Sequence, residues 1–308
     1  MLGVSTALVA LAAFFWGLSG GIGGLLIAGD WSAFVVSFYR GAIGLLFVLV
    51  WLALSPQRHG LNSRRLWFWS AIAGLGVAGN FSFYFTSISQ GSVAVAATLM
   101  YCAPVFVYLV SFALKLEQPS RFKWFAILLV MLGILLLTRI DNVGASDITI
   151  LGVVTGLLAG LSYALFIFGF KYAAPHGSPQ AILAIAFSVL TLVLIGPASI
   201  DLIAAVVSSP DWPLFITLGV LGSGISFVIY IVGLHYTAPA VASIVAMVEP
   251  VTASLFGVVV LNESLGALQT LGMVLILITV TALSVYSSSG SGYNFRSKRY
   301  KRELEKSR

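Results

Sequence analysis

The fold is decided by two stretches of the chain that align without a gap, YFTSISQGSVAVAATLMYCAPVFVYLVSFALKLE (residues 84–117) and YIVGLHYTAPAVASIVAMVEPVTASLFGVVVLNE (residues 230–263). A constant offset of 146 residues (230 − 84 = 146) matches a tyrosine, a proline and a glutamate: Tyr84 with Tyr230, Pro104 with Pro250 and Glu117 with Glu263. Chance matches are common among small apolar residues. A tyrosine, a proline and a glutamate that all match at one offset indicate an internal repeat.

The composition places this repeat in a membrane. Of the 308 residues, 59% are hydrophobic and 8% are charged, and the mean hydropathy is +1.05. Soluble domains carry about 25% charged residues, so the sequence predicts an integral membrane protein in contact with a lipid bilayer. Seven of the sixteen Lys and Arg follow Tyr293. This basic tail suits an anionic membrane surface, and no nucleic acid is expected as a partner because no folded basic groove accompanies it.

Cysteine and histidine usage argues against a metal site. Cys102 is the single cysteine, which excludes an intramolecular disulfide and a site built on several cysteines. The three histidines, His59, His176 and His235, are far apart in the sequence. Structural or loop roles are therefore expected for them, and no metal or other cofactor is predicted.

Ten stretches of about 20 apolar residues predict membrane-spanning helices. They cover residues 4–28, 32–54, 66–88, 92–114, 121–138, 147–173, 179–200, 213–236, 239–261 and 265–286. The N-terminal stretch is too long for the apolar region of a signal peptide and lacks a basic segment before it, so it is predicted to be a retained first span.

The basic residues predict the orientation of the spans. With the N-terminus inside, a single loop residue, Arg139, falls outside and Arg40 falls within a span. The other fourteen Lys and Arg belong to inner loops or the tail: Arg58, Arg64, Arg65, Lys115, Arg121, Lys123, Lys171, Arg296, Lys298, Arg299, Lys301, Arg302, Lys306 and Arg308. The positive-inside rule therefore predicts a multi-pass protein of the inner (plasma) membrane with both termini in the cytoplasm.

The repeat and the span count together predict an inverted topology. Residues 1–140 form the first five-helix repeat, residues 147–286 form the second, and residues 287–308 form the basic cytoplasmic tail. Since five is odd, the second copy enters the membrane from the opposite side. In proteins of this kind the substrate site lies near the middle of the bilayer, between the repeats.

Three motifs resemble a known family. These are Trp16-Gly17 in the first span, SFYRGAIGLLFVL in the second, and VEPVTASLFGVVVLNE followed by a short tenth span. They are similar to the drug/metabolite transporter superfamily, specifically its ten-helix EamA branch, and the resemblance covers residues 4–286. It implies an all-α membrane fold in which helices 1, 3, 4, 6, 8 and 9 surround a central cavity. It also implies transport of amino acids, nucleobases, sugars, drugs or other small metabolites, often outward.

Glu249 is the first candidate for a functional residue. It lies about ten residues into the ninth span, which at about 1.5 Å per residue is near the middle of the membrane. An ionisable residue at this depth suggests substrate binding or proton coupling. Pro250 is expected to leave the carbonyl near residue 246 without its helical donor. Pro104 and Pro250 are therefore candidate kink or gating positions. A structural carboxylate that only serves packing is the alternative, and Ala103 at the matching position shows that the repeat does not require the acid.

Polar and aromatic residues inside the spans are the second group of candidates. Five are on helices that the family resemblance places around the cavity, away from the membrane interfaces where Trp and Tyr usually collect: Trp16, Tyr84, Tyr101, Tyr163 and Tyr230. Asn80 and Ser226 match across the repeats, one turn before Tyr84 and Tyr230 and on the same helix face. They are predicted either to bind a zwitterion or to hydrogen-bond neighbouring helices.

Two other features are given structural interpretations. Arg40 has a transported anion or Glu249 as a possible partner, but an arginine that caps backbone carbonyls is favoured. The glycines of WGLSGGIGGLL resemble a phosphate loop only superficially, since no strand precedes them and no Lys-Ser/Thr follows. Close packing of helices through small residues explains them better. Phe81, Phe83 and Phe85 are expected to pack against lipid or neighbouring helices.

These observations favour secondary transport. The sequence shows no metal cluster, nucleophile motif or paired carboxylates, so an enzyme is not predicted, and it lacks the continuous polar stripe of a channel. Export of amino acids, including aromatic or hydrophobic ones, is the first prediction, with protons as a candidate coupling ion. Efflux of cationic drugs and transport of nucleobases or other metabolites are alternatives, and a membrane receptor or scaffold is the alternative of a different class.

Overall fold

Helices form all ten predicted spans. A computed structural model describes residues 2–55, 59–90, 93–116, 120–142, 144 and 149–288. Within these residues there is no β-strand, and ten helical stretches are long and apolar enough to cross a membrane. The prediction of an all-α integral membrane protein with ten transmembrane helices is therefore confirmed.

The first half of the chain contains six helices, which form spans one to five. They are α1 (Leu2–Ala28), α2 (Ala33–Leu54), α3 (Arg64–Ser89), α4 (Val93–Met100), α5 (Ala103–Ala113) and α6 (Arg121–Thr138). The second half contains α7 (Ile150–Ala173), α8 (Pro179–Ala198), α9 (Ile200–Ser208), α10 (Trp212–Gly219), α11 (Ser226–Tyr236), α12 (Pro239–Val245), α13 (Val248–Leu261) and α14 (Ala267–Ser288). The short α9 lies between the seventh and eighth spans and was not predicted.

Local sequence explains where several helices begin. Ser63, Thr149 and Ser178 precede α3, α7 and α8, and each hydroxyl oxygen accepts a hydrogen bond from the backbone N–H three residues later. Such caps satisfy N–H groups that a helix start leaves without an intrahelical partner. Ser63 and Ser178 lie between predicted spans, whereas Thr149 lies inside the predicted sixth span, which therefore begins about three residues later than expected.

Three spans are not continuous α-helices. The fourth span breaks between α4 and α5, and the ninth breaks between α12 and α13. When the two halves are aligned with the offset of 146 residues, the positions of the two breaks agree to within about one residue. The eighth span contains a π-helical segment, Val220–Ile225, between α10 and α11. Irregular backbone in the middle of a membrane protein is tolerated where it is buried in protein or lines a cavity, so these breaks are expected in the interior of the bundle.

The most extensive packing joins helices of different halves. The third span packs along the sixth and the first packs along the eighth, so α3 contacts α7 and α1 contacts α11. Each pair is the counterpart of the other in the repeat, because α3 corresponds to the eighth span and α1 corresponds to α7. The second span also packs on the seventh and the fifth on the tenth, as α2 with α8 and α6 with α14.

The two ends of the bundle differ. The short helix α12 is completely buried and packs against α5 and α7, which closes the end of the bundle where Thr237 lies. Its counterpart in the first half is α4, whose first residue, Val93, is 59% exposed. Among the described residues, α4 and α13 make no comparable packing contact. We call these the closed end and the open end. The region where Glu249 of α13 meets Tyr163 of α7, between α1 and α13 on one side and α3, α4 and α7 on the other, is called the central cleft.

Some predicted features need correction or fall outside the described residues. Lys171 was assigned to an inner loop, but it lies in the last turn of α7 and is 9% exposed. Its ammonium donates hydrogen bonds to the carbonyls of Leu234, His235 and Thr237 at 2.7, 2.8 and 2.7 Å. Glu117, Arg58 and the tail from residue 289 onward lie outside the described residues.

Candidate functional site

Glu249 lies at the break in the ninth span. It is in the first turn of α13, where the N-terminal end of the helix dipole favours a negative charge. The residue is half-buried, so part of its surface remains accessible beside the central cleft. The Tyr163 hydroxyl donates a hydrogen bond to Oε2 of Glu249 at 3.2 Å. The acid predicted from the sequence is therefore held by a tyrosine from the other side of the cleft.

The break is not the proline kink that the sequence suggested. The Ala246 carbonyl was expected to lack a donor, but this prediction was wrong, because the Glu249 N–H donates to it at 2.9 Å. Pro250 lies in the first turn of α13, and Pro104 occupies the corresponding place in α5. A missing N–H costs little in a first helical turn. Each proline therefore starts a new helix after the break.

Tyr163 reaches Glu249 because α7 approaches its neighbours closely. A Cβ on Gly160, one turn before Tyr163, would be 2.9 Å from the Leu99 carbonyl of α4. The Tyr163 ring is 3% exposed and lies 4.5 Å from the Phe166 ring, measured between centroids. This packing restricts the position of the Tyr163 ring, and its hydroxyl is directed at the Glu249 carboxylate.

Arg40 supplies a positive charge to the same region. Its Nε and Nη2 groups donate to the Gly222 carbonyl at 3.2 and 3.1 Å, and Gly222 belongs to the π-helical segment of the eighth span. The guanidinium carbon lies 5.2 Å from the centroid of the Phe81 ring, a cation–π distance. Arg40 interacts electrostatically with Glu249, Tyr163 and Tyr101, although the second span was considered peripheral.

Two further tyrosines face the same charges. Tyr84 on α3 is half-buried and interacts electrostatically with Glu249. Tyr101 lies in the break of the fourth span, is 8% exposed, and interacts with Glu249, Tyr84 and Arg40. The breaks of the fourth and ninth spans therefore bring a tyrosine and a glutamate to one region of the interior.

Trp16 and Tyr230 belong to a neighbouring aromatic cluster that also contains Phe166 and Phe227. Between ring centroids, Trp16 lies 4.8 Å from Tyr230 and 4.9 Å from Phe227. The centroid of the Phe166 ring is 6.2 Å from that of Trp16. Trp16 and Tyr230 are 2% and 0% exposed. The Trp16 indole N–H and the Tyr230 hydroxyl have no hydrogen-bond partner among the described residues. This cluster is adjacent to the Glu249–Tyr163 pair, since Phe166 contacts both.

The matched polar pair, Asn80 and Ser226, makes no hydrogen bond to Glu249 or Arg40 among the described residues. The Asn80 amide donates to the Ala159 carbonyl on α7 at 3.0 Å, which is the contact expected of an interhelical hydrogen bond. Ser226 is 0% exposed, and its hydroxyl has no partner among the described residues. One of the two N–H donors of Asn80 is therefore used by α7.

Sequence reasoning missed Phe81 and the position of Arg40. Phe81 was assigned to lipid or to neighbouring helices, yet its ring lies under the guanidinium. Its spacing of three residues from Tyr84 places both on one face of α3, and this was the available signal. Arg40 had no comparable signal, because the carbonyl that it contacts lies in a π-helical segment 182 residues away in the sequence.

Other candidate sites lie elsewhere. An apolar groove of about 760 Å³ runs along the outer surface between α2, α9 and α10, and residues such as Leu46, Val50 and Trp212 line it. Its one phenol, Tyr39, donates to the Ile203 carbonyl at 2.7 Å. The described residues contain no group of three His, Cys, Asp or Glu arranged for a metal ion. The chemistry of the interior is therefore that of Glu249, Arg40 and the tyrosines.

Comparison with known proteins gives the family. The model of the EamA-like transporter family matches residues 3–139 and again residues 150–285. The uncharacterized transporter YwfM of Bacillus subtilis (strain 168) is 26% identical over 283 residues, which cover 90% of this chain and 92% of that protein. An uncharacterized transporter of Archaeoglobus fulgidus is 30% identical over 194 residues, covering 63% of this chain and 68% of that protein. One crystal structure, at 16% identity, shares the fold with a TM-score of 0.71 over 93% of this chain and 98% of its own. Because the family model covers both halves, the chain belongs to the EamA-like transporter family.

Proposed function

We propose that this protein is a secondary transporter that exports amino acids, aromatic and hydrophobic ones included, by alternating access. The observation that carries the proposal is the Glu249–Tyr163 pair, in which a half-buried carboxylate faces the cleft beside an aromatic cluster. A carboxylate in this setting suits a substrate ammonium, and the aromatic rings suit an apolar side chain. Trp16, Tyr84, Tyr101, Tyr163, Tyr230 and Glu249 are the proposed substrate-binding residues, and Asn80 and Ser226 support them from α3 and the eighth span.

The two halves act as inverted repeats in this proposal, residues 1–140 and 147–286. The separate family matches to each half support the division, as do the corresponding helix pairs and the nearly equivalent breaks in the fourth and ninth spans. Two copies of one unit that face opposite sides of the membrane have two related arrangements. Exchange between these arrangements moves the opening of the cleft from one end of the bundle to the other.

The difference in packing between the two ends of the bundle suggests which helices move in this proposal. The packing of α12 against α5 and α7 closes one end, and the corresponding contact at the other end is not formed among the described residues. By contrast, peripheral links exist at both ends. The Trp31 indole donates to Asp211 at 2.9 Å, and His59 and Ser178 share a hydrogen bond of 2.8 Å. Opening the closed end therefore requires α12 to separate from α5 and α7, while the peripheral links persist.

Coupling to protons is part of the proposal. Glu249 is the acid at the cleft, and Arg40, Tyr84, Tyr101 and Tyr163 are the charged or titratable groups that interact with it. A carboxylate that exchanges a proton for a substrate ammonium would couple the movement of protons to the movement of substrate across the membrane. The distribution of basic residues supports cytoplasmic termini in the inner membrane, which makes the closed end the cytoplasmic one.

A cationic drug is the second candidate substrate. Glu249 and the nearby rings of Tyr163 and Phe166 would bind an aromatic cation by charge and by cation–π contacts. In this case Arg40 would weaken binding, because its charge repels the substrate. Nucleobases, which carry neither charge, have less support from this pair of ionic groups.

Counterflow in proteoliposomes tests the proposal. Purified protein is reconstituted, the vesicles are loaded with one unlabelled compound at a time, and entry of the same labelled compound is followed with and without a pH gradient. We expect counterflow of amino acids such as L-phenylalanine and stimulation by the gradient. Counterflow of lipophilic cations alone, or of nucleobases alone, would replace amino acids as the substrate, and transport that requires ATP would contradict secondary transport.

A further inference from the structure

The Arg40 guanidinium keeps hydrogen-bonding capacity that the protein does not use. A guanidinium has five N–H donors, and Arg40 directs Nε and Nη2 to the single Gly222 carbonyl. Among the described residues, its Nη1 group has no hydrogen-bond acceptor in range, and the ring of Phe81 lies against one face of the group. The residue as a whole is half-buried, so part of its surface remains accessible.

The local backbone is shaped to hold the guanidinium in this position. A Cβ on Gly222 would be 2.6 Å from Cβ of Ser19 and 3.0 Å from Nε of Arg40, so only glycine allows this approach. The Gly222 carbonyl that accepts both bonds lies in the π-helical segment Val220–Ile225, a backbone form that is frequent at functional sites. Arg40 is therefore fixed at its Nε side, and its opposite edge is left for another acceptor.

Glu249 and Arg40 are opposite charges that are held apart. The carboxylate accepts a hydrogen bond from Tyr163 and the guanidinium donates to Gly222, so each is anchored by a different group. They nevertheless interact electrostatically. Two opposite charges facing one interior, each with unused hydrogen-bonding capacity, match the two ends of a zwitterion.

We propose that Arg40 binds the carboxylate of a zwitterionic substrate whose ammonium binds Glu249. Arginine suits this role because its planar fork accepts a carboxylate in a bidentate manner. The inference rests on the proposed amino acid transport and names the residue that selects α-amino acids against simple amines. Phe81 acts as a positioning residue that orients the guanidinium.

The test compares two probes that differ at the carboxylate. L-Phenylalanine carries both charges, whereas L-phenylalaninamide keeps the ammonium and replaces the carboxylate with a neutral amide. Their dissociation constants are measured by calorimetric titration of the purified protein, for the wild type, Arg40→Gln and Arg40→Met. Glutamine retains an N–H donor for the Gly222 carbonyl without the charge, and methionine removes both.

In the wild type we expect L-phenylalanine to bind about 10- to 100-fold more tightly than the amide, the range for a charged hydrogen-bonding pair. In both variants this ratio should fall close to one, mainly through weaker binding of L-phenylalanine. A ratio retained in Arg40→Gln would overturn the proposal, even if both affinities fell together, because a purely structural arginine affects the probes equally. If the wild type binds neither probe, the amino acid proposal itself fails, and this outcome is distinct from a retained ratio.

Discussion

Tyr84 and Tyr230 occupy matching positions in the repeat but lie in different environments. Tyr84 is half-buried at the cleft, near Glu249. Tyr230 is 0% exposed and packs against Trp16. The difference follows from the asymmetry of the bundle, because one conformation places equivalent residues at its open and closed ends. Equivalence in sequence therefore does not imply equal roles in this conformation.

We predict that Tyr84→Ala mainly impairs transport, whereas Tyr230→Ala mainly impairs stability. Tyr84→Ala should lower transport by about tenfold, through loss of one polar and one aromatic contact, with a nearly unchanged melting temperature. Tyr230→Ala should destabilise the protein by about 3–5 kcal/mol, because it empties a packed aromatic site. Counterflow and thermal unfolding of the two purified variants provide the comparison. Wild-type transport by a stable Tyr84→Ala protein would remove Tyr84 from the site.

The site could be predicted from the sequence only in part. Glu249 was found because an acid in an apolar span is rare, and the tyrosines because they lie away from the interfaces. Their grouping was not predictable, since the rotation of each helix is set by packing. Tyr163 and Glu249 are 86 residues apart, and no local pattern pairs them.

At the level of the helices, glycine spacing controls how closely α1 approaches the ninth span. A Cβ on Gly17 would lie 2.5 Å from the Glu249 carbonyl and 2.5 Å from Cβ of Thr252, whereas a Cβ on Gly20 would meet nothing within 4 Å. The sequence predicted close packing for this glycine-rich stretch, and Gly17 confirms it. Gly20 shows that the pattern does not apply to every glycine.

Gly17→Ala and Gly20→Ala therefore form a matched pair. Gly17→Ala should destabilise the protein by about 1–3 kcal/mol, because the methyl group overpacks the contact with α13. Gly20→Ala should leave stability unchanged or raise it slightly, since alanine favours the helix by about 1 kcal/mol. Melting temperatures in detergent measure both. Equal effects of the two substitutions would contradict the packing assigned to α1.

Lys171 ties α7 to the turn between α11 and α12 at the closed end. Its three hydrogen bonds satisfy carbonyls at the C-terminal end of α11, where a positive charge is favourable. The first span, which corresponds to α7 in the repeat, contains no basic residue. The ammonium is therefore a feature of one end of the bundle.

We predict that Lys171→Met lowers stability by about 1.5–3 kcal/mol or more, because hydrogen bonds to a charged group are lost and buried carbonyls are left without this donor. Arg65→Met is the control, since Arg65 is exposed at the start of α3 and its loss removes the same charge. Thermal unfolding should separate the two variants by several degrees. Indistinguishable melting curves would show that Lys171 does not hold the closed end.

For the whole molecule, the ten-span fold was predictable and the breaks were not. Apolar length and the breaker residues between apolar stretches gave the number of spans and their approximate bounds. The break between α12 and α13 and the π-helical segment at Gly222 depend on contacts with other spans, which hydropathy does not report. The short α9 was missed because its nine residues are too few for a span.

The orientation in the membrane is tested with reporters at the C-terminus. We expect a fluorescent protein that folds only in the cytoplasm to be bright there, and a phosphatase that works only in the periplasm to be inactive. The physical reason is the fourteen-to-one distribution of basic residues, which favours retention of these segments inside. An active phosphatase fusion would reverse the topology and make the closed end the outer one.

If transport passes through the cleft at Glu249, the charge of this side chain should be needed for counterflow, which the substitution Glu249→Gln can show. Glutamine keeps the shape and an acceptor for Tyr163 but cannot carry the charge. Purified wild type, Glu249→Gln and the control Glu263→Gln, whose residue is exposed at the end of the ninth span, are compared in proteoliposomes at several pH values. We predict that Glu249→Gln folds with a melting temperature close to that of the wild type yet loses counterflow of L-phenylalanine or its dependence on pH. Glu263→Gln should behave as the wild type. A Glu249→Gln protein with the rate and pH profile of the wild type would contradict transport through this cleft.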